Sequence, residues 1–163
     1  VLSSSRAPDV AKIIASLLAV FLAAAIGSIF TTSSIPTWYA GLQKPIFTPP
    51  DWLFAPAWTV LYILMAVAAF LVWRRGLRTL GVKGALLAYL VQLVLNILWS
   101  VIFFGLKSPL FGMVVILLLW FGIIVTTVRF FWISRAAAWL MVPYVLWVTF
   151  ASALNIGVFI LNG

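Results

Sequence analysis

A chain of 163 residues that is 66% hydrophobic and 7% charged cannot cover a soluble surface, since soluble domains keep roughly a quarter of their residues charged. Lipid must be its solvent, and the net charge of +8 is not a nucleic-acid footprint: Arg74, Arg75, Arg78 and Lys83 cluster in one gap between apolar runs, where membrane proteins place cytoplasmic positive charge. Cysteine and histidine are both absent, which excludes disulfides and thiolate chemistry and removes the commonest metal ligand and the side chain best suited to proton transfer near neutral pH.

Uncharged runs at 13–43, 52–73, 84–106, 108–128 and 136–163 mark out the spans. A helix rises about 1.5 Å per residue, so about 20 residues cross a hydrocarbon core roughly 30 Å thick. Five transmembrane helices follow, near 10–31, 52–74, 83–105, 109–130 and 135–160. The fold class is an all-α integral membrane protein, a five-helix bundle forming a single membrane domain over 1–163. Runs such as VVILLLWFGIIV lack the alternation of a barrel wall. The first apolar run, after SSSRAPDVAK, is too long for a signal peptide and reads as a retained helix.

The basic residues give an orientation. Arg6 and Lys12, the cluster at 74–83, and Arg129 with Arg135 fall on one face; only Lys44 and Lys107 fall on the other. The N-terminus is therefore expected in the cytoplasm. The later connections are short, so consecutive helices are expected to be antiparallel neighbours.

The connection at 32–51 is longer and different in kind. In KPIFTPPDWLFAPAW, prolines Pro45, Pro49, Pro50 and Pro56 alternate with aromatic residues. Proline stiffens itself and the residue before it, so TPPDW is expected to be extended up to Asp51, an N-cap for the second helix, with Pro56 in its first turn. Trp38, Tyr39, Ile46 and Phe47 are too apolar for disorder, and the segment is expected to fold onto the bundle as a lid.

On the third helix, Gln92, Asn96, Trp99, Ser100 and Phe103 fall within a sector of roughly 100°. Amides at mid-membrane must find partners inside the protein. Gln92 fits an interhelical hydrogen bond; Asn96 with Trp99 fits either such a bond or the wall of a site. On the fifth helix Tyr144, Trp147, Ala151, Asn155 and Asn162 share a face, and Ala151 is either a packing notch or a pocket floor. Trp73, Trp132 and Trp139 lie near helix ends as interfacial anchors, whereas Trp38, Trp52, Trp99 and Trp147 are candidates for lining a site.

WYAGLQKPIFTPPDWLFAPAWTVLYILM, QLVLNILWSVIFFG and PYVLWVTFASALN, in that order, resemble the signature of the TspO/MBR family, the tryptophan-rich sensory and translocator proteins. The resemblance covers about residues 13 to 160 and implies a five-helix bundle, usually a homodimer, whose cavity opens towards the first loop. It implies a porphyrin such as protoporphyrin IX, or another hydrophobic small molecule, as ligand rather than resident cofactor. The pocket residues it implies are Trp38, Tyr39, Pro49, Pro50, Trp52, Asn96, Trp99, Phe103, Trp147 and Ala151. With no histidine or cysteine as axial ligand, a metal-free porphyrin is the expected guest. The segment ASALNIGVFILNG has neither the Tyr nor the basic residue of the cholesterol-recognition pattern.

These features favour a membrane-embedded binding protein, a sensor or carrier. No carboxylate pair or nucleophile–base pair supports ordinary catalysis, and no buried acid or histidine relay supports a pump. The enzymatic alternative is light- and oxygen-dependent porphyrin degradation through tryptophan redox chemistry, with Trp52 and Trp147 expected on opposite walls of one cavity. Lys44 and Lys107 are expected either to meet porphyrin propionates or to be solvated loop charges. The expected membrane is a bacterial plasma membrane, the alternative a mitochondrial outer membrane.

Overall fold

The structure is a computed structural model that describes residues 6–163, with side chains from residue 8; the residues before these, and the side chain of Arg6 used in the charge count, lie outside the described set. Five helices carry the fold: α1 (Arg6–Ser34), α2 (Phe54–Trp73), α3 (Val82–Ser100), α4 (Pro109–Ile133) and α5 (Arg135–Asn162). All five are long and apolar enough to cross a membrane, and the described residues contain no strand. The all-α, five-span expectation is borne out. Several boundaries move by a few residues: α1 runs from Arg6 to Ser34, α4 continues to Ile133 and α5 to Asn162, and a short 3-10 turn at Asp51–Leu53 feeds α2, so the loop proper is 35–50.

Around the bundle the helices run α1–α2–α5–α4–α3 and back to α1. Helix α2 packs chiefly on α1 and α5 and touches α3 only slightly, which corrects the expectation that every short connection joins neighbours. The turn at residues 74–81, with Gly76 and Gly81 at positive φ, is long enough to carry the chain past the nearest position.

Side-chain size divides the bundle into two ends. Away from the loop, small residues meet: Ala66, Ala68 and Ala69 on α2, Ala85 on α3, and Ala137 and Ala138 on α5, all buried. Small side chains let helix backbones approach closely, which is where packing in lipid gains its energy. Val20, Met65, Leu119, Ile123, Phe130 and Met141 fill the space between them without exposure. Towards the loop, aromatic rings hold the helices apart.

Three local devices were not visible in the sequence pattern. Ser108 and Ser134 cap α4 and α5, their hydroxyls accepting from the N–H of Phe111 and Ala137, each at 3.3 Å. At Val101–Gly105, α3 widens into a π-turn. The wider turn keeps Phe103 and Phe104, adjacent in sequence, both buried on the inner side. Asp51, by contrast, does not cap α2: Leu53 flanks that helix without a side-chain cap, and Asp51 opens the 3-10 turn before it, flanked in turn by Pro50 with φ −58° and ψ 145°. Its carboxylate lies in the 3-10 turn ahead of α2 and accepts no capping N–H bond. Pro56 sits in the first turn of α2 as expected.

The loop is docked by specific contacts. Asn162 grips the backbone of Gln43 twice, its Oδ1 accepting from the N–H at 3.0 Å and its Nδ2 donating to the C=O at 2.8 Å. The Pro45 ring lies so close to Gly157 that a Cβ there would overlap it. At the other end of the loop, the Ser34 hydroxyl donates to the Phe104 carbonyl at 2.8 Å. Gly157→Val is therefore expected to expel Pro45 and loosen the loop while the bundle remains intact. Limited proteolysis should then cut within residues 36–50 several times faster than in the parent chain, with unchanged elution in detergent; equal cutting rates would refute the docking role of Gly157.

Candidate ligand cavity beneath the first loop

The aromatic end of the bundle encloses a cavity of about 320 Å³. Its walls come from α1, α2, α3 with its π-turn, and α5, and its roof from Ile35 and Tyr39; α4 contributes no lining residue. Helix α4 instead braces the wall from behind, with Gly112 so close to Phe103 and Asn155 that a side chain there would collide with both.

Six of the ten residues expected at the site line this cavity: Tyr39, Asn96, Trp99, Phe103, Trp147 and Ala151. Trp38, Pro49, Pro50 and Trp52 do not. Trp38 stands behind the wall, its ring edge-on to Phe103 at 5.5 Å. The two prolines carry the chain across the outside to α2. Trp52 is 71% exposed and points away, so Trp52 and Trp147 are not opposite walls of one cavity. The 3-10 turn at Asp51–Leu53 rotates Trp52 outward and brings Phe54, one turn of α2 and the next turn round to the inner side.

The residue that takes the place of Trp52 is Trp58. With Phe54 and Tyr62 it forms a stripe at intervals of four along α2, all three lining the cavity. Its ring lies 6.3 Å from Trp99, 6.4 Å from Trp147 and 6.1 Å from Tyr144, centroid to centroid. The stripe was legible in the sequence as Phe54, Trp58 and Tyr62, but the neighbouring proline pair drew the assignment to Trp52.

Beneath the aromatic walls the polar groups form a ladder across three helices. Tyr62 Oη donates to Asn96 Oδ1 at 2.9 Å, Asn96 Nδ2 donates to Tyr144 Oη at 2.9 Å, and Tyr144 Oη donates to Gln92 Oε1 at 2.9 Å. Both readings of Asn96 therefore hold together: it lines the cavity and it is an interhelical bond. A second link joins Trp99 Nε1 to Asn155 Oδ1 at 3.0 Å, and Asn155 Nδ2 donates to the carbonyl of Pro109 at 2.9 Å. Against this background one wall residue stands out. The indole N–H of Trp147 is buried and has no hydrogen-bond partner.

Tyr39 in the roof is 5% exposed, and its phenol pKa is pushed up from 10.0 to about 12, first by burial and then by the negative charge of Asp51. Docking thus favours the neutral phenol; this contribution is complete below pH 10 and is lost as pH rises through about 12. Lys44 does not reach into the cavity: its ammonium donates to the carbonyls of Ala40 at 3.4 Å and Leu42 at 3.3 Å and lies 4.8 Å from the centre of the Tyr39 ring. It staples the roof. Among the described residues no group of three or more His, Cys, Asp or Glu side chains comes together to hold a metal.

A five-helix membrane protein with an aromatic cavity under a docked loop is the class that fold and site define. The sequence pattern of the TspO/MBR family matches residues 15–161, and the chain belongs to that family. It is 45% identical over 155 residues to the tryptophan-rich protein TspO of Archaeoglobus fulgidus, covering 94% of this chain and 99% of the relative. It is 38% identical over 142 residues to the tryptophan-rich sensory protein of Cereibacter sphaeroides, covering 85% and 87%. Against the human translocator protein the identity is 39% over 139 residues, covering 85% and 82%.

Removing the middle of the ladder should be costly. Asn96→Ala leaves the Tyr62 hydroxyl without its partner and removes one of the two bonds at Tyr144 Oη, and is expected to lower stability by about 1–3 kcal/mol. A surface hydroxyl change such as Ser33→Ala should stay within about 0.5 kcal/mol. Unfolding by denaturing detergent measures both, and equal stabilities would mean that the ladder contributes nothing net.

Proposed function

We propose that the cavity binds flat hydrophobic molecules of the porphyrin class and that the protein acts as their sensor or carrier. The observation that carries this reading is the unpartnered, buried Trp147 N–H among the aromatic rings that α2, α3 and α5 contribute to the cavity lining. A buried donor without an acceptor costs about 1–3 kcal/mol, and a guest that brings an acceptor removes that cost. Aromatic faces supply stacking and apolar area at the same time. At about 320 Å³ the cavity lies at the small end of ligand pockets, roughly 300–1,000 Å³, so a macrocycle enters by one edge and leaves the other at the mouth. Relatives named as translocator and tryptophan-rich sensory proteins support a binding role. Protoporphyrin IX added to purified protein should quench tryptophan fluorescence to saturation. Trp147→Phe should weaken binding by about 1–2 kcal/mol, near tenfold in Kd. Absence of saturable quenching would overturn the reading.

A second reading, light-driven porphyrin degradation, is favoured by one observation: Trp58 stands in contact range of both Trp99 and Trp147. In such a cluster a one-electron hole left on one photo-oxidised ring passes to its neighbour, which is oxidised in turn; dioxygen takes up the electron, and an external reductant is needed to restore the rings. The two readings separate under illumination. Binding alone gives bleaching that matches inert detergent or stops after one equivalent, whereas catalysis gives a defined product over many turnovers that Trp58→Phe abolishes.

We infer further that the N-terminus faces the cytoplasm, supported by the basic residues on that side, and that the membrane is a bacterial plasma membrane. A homodimer is inferred from the family likeness.

A further inference from the structure

The cavity wall is closed on three sides and open on one. Every lining residue on α3, its π-turn and α5 is buried or half-buried, and the roof residues Ile35 and Tyr39 are likewise. The lining residues that are also exposed at the molecular surface are Phe21, Ser28 and Thr32 on α1, and Asp51, Ala55 and Thr59 at the start of α2. A residue that both lines a cavity and meets the surroundings stands at its mouth. All six lie along one seam.

The burial pattern of the two helices explains the opening. The first two turns of α2 contain no buried residue, and burial begins at Leu61 and Tyr62. Helix α1 packs on α2, and its buried positions nearest its start, Ser16, Val20 and Ala23, lie towards the end where α2 carries its alanines. The seam is thus sealed at the small-residue end and parted at the loop end. The parted stretch runs along two membrane-spanning helices, from Phe21 and Thr59 up to Thr32 and Asp51 at their loop ends, so it faces sideways into the acyl chains along its length and meets the headgroup boundary at its top, where the Asp51 carboxylate stays hydrated.

Its chemistry suits that surrounding. The rim hydroxyls are spent on their own helices: Ser28 Oγ donates to Ala25 O at 2.9 Å, Thr32 Oγ1 to Ser28 O at 2.7 Å, and Thr59 Oγ1 to Ala55 O at 2.8 Å. Back-bonded in this way they present methyl and methylene groups outward, so an apolar molecule passes without stripping water or breaking bonds between side chains. The roof offers no such path. It is fastened to α5 through Gln43–Asn162 and Pro45–Gly157, and to the π-turn through Ser34–Phe104.

We propose that guests enter and leave the cavity laterally, from the bilayer through the α1–α2 seam, while the loop remains docked as a fixed roof. The ligand class this selects is molecules already dissolved among acyl chains, and the inference depends on the cavity alone, not on the guest being a porphyrin.

The absence of cysteine makes the route directly measurable. Ala151→Cys places the chain's one thiol at a buried position on the cavity wall. In lipid vesicles the probes are an apolar maleimide that partitions into the bilayer and a charged methanethiosulfonate confined to water. The apolar reagent should label Cys-bearing protein at least about tenfold faster than the charged one, relative to their rates on the denatured chain. Adding Ala55→Trp, or from the opposite side of the mouth Ser28→Trp, should slow apolar labelling by about tenfold or more; adding Asn162→Ala, which unties the roof, should leave it unchanged within about twofold. Complete labelling after denaturation and unchanged elution in mild detergent show that each variant is folded, and the use of two plugs guards against the loss of either. Apolar labelling unaffected by both plugs, or labelling by the charged reagent that Asn162→Ala accelerates, would overturn the proposal. Neither readout involves porphyrin, so failure here is distinguishable from failure of the proposed ligand.

Discussion

Lipid offers no hydrogen bonds, and that constraint shapes the centre of this protein. Tyr62, Asn96, Tyr144 and Gln92 bring hydroxyl and amide groups to mid-membrane, and each bonds to the next, with the Gln92 Nε2 left unpartnered at the end of the series. The ladder ties α2, α3 and α5 at one level. Above it the aromatic rings hold the helices apart; below it alanines draw them together. A cavity in an apolar bundle would ordinarily be closed by repacking, since lost contacts are expensive. Here the level at which the helices separate is set by polar groups that cannot slide without losing their partners. The cavity floor is thus fixed by directional bonds, whereas its walls are only packed.

The walls themselves combine rigidity with apolar area. Rings from α2, α3 and α5 meet edge-on, tilted or stacked at 5.6–6.4 Å around Trp58 and Trp99. Such pairs contribute about 0.5–1.5 kcal/mol beyond area burial and restrain one another's orientation. The π-turn adds Phe103 and Phe104 together, which an ideal α-helical repeat would have sent in different directions. Helix α4 stays outside the site and presses the wall inward through Gly112. The outcome is a site whose shape depends on the bundle, not on a mobile loop.

Much of this was legible in the sequence, for identifiable reasons. Charges at the ends of apolar runs mark the spans because lipid excludes them. The shared face of Gln92, Asn96 and Phe103 was readable because a helix repeats every 3.6 residues. The lid was readable from prolines among aromatic residues. What escaped depends on tertiary contact or on departures from ideal repeat. Trp52 and Trp58 differ only in how a 3-10 turn rotates the entry to α2. The π-turn breaks the very periodicity used to find faces. The α1 contribution was hidden because Gly27, Ser28 and Thr31 look like any small-residue helix stretch until α2 is seen to diverge from it.

The grip of Asn162 on Gln43 spans 119 residues, close to three-quarters of the chain. Long-range contacts form late, because everything between them must be ordered first. During synthesis Gln43 leaves the ribosome with four helices, α2 to α5, still to follow, and its partner lies in the final turn of α5. The nascent bundle therefore passes through a stage in which α1 to α4 are in the membrane, the aromatic surface of α2 and α3 is uncovered, and the first loop is held at its α1 end alone, through Ser34, Trp38 and Tyr39 on Phe103 and Phe104. Insertion of α5 ends that stage in a single event, supplying the last wall and the roof's anchor together, so that cavity formation is the terminal step of assembly.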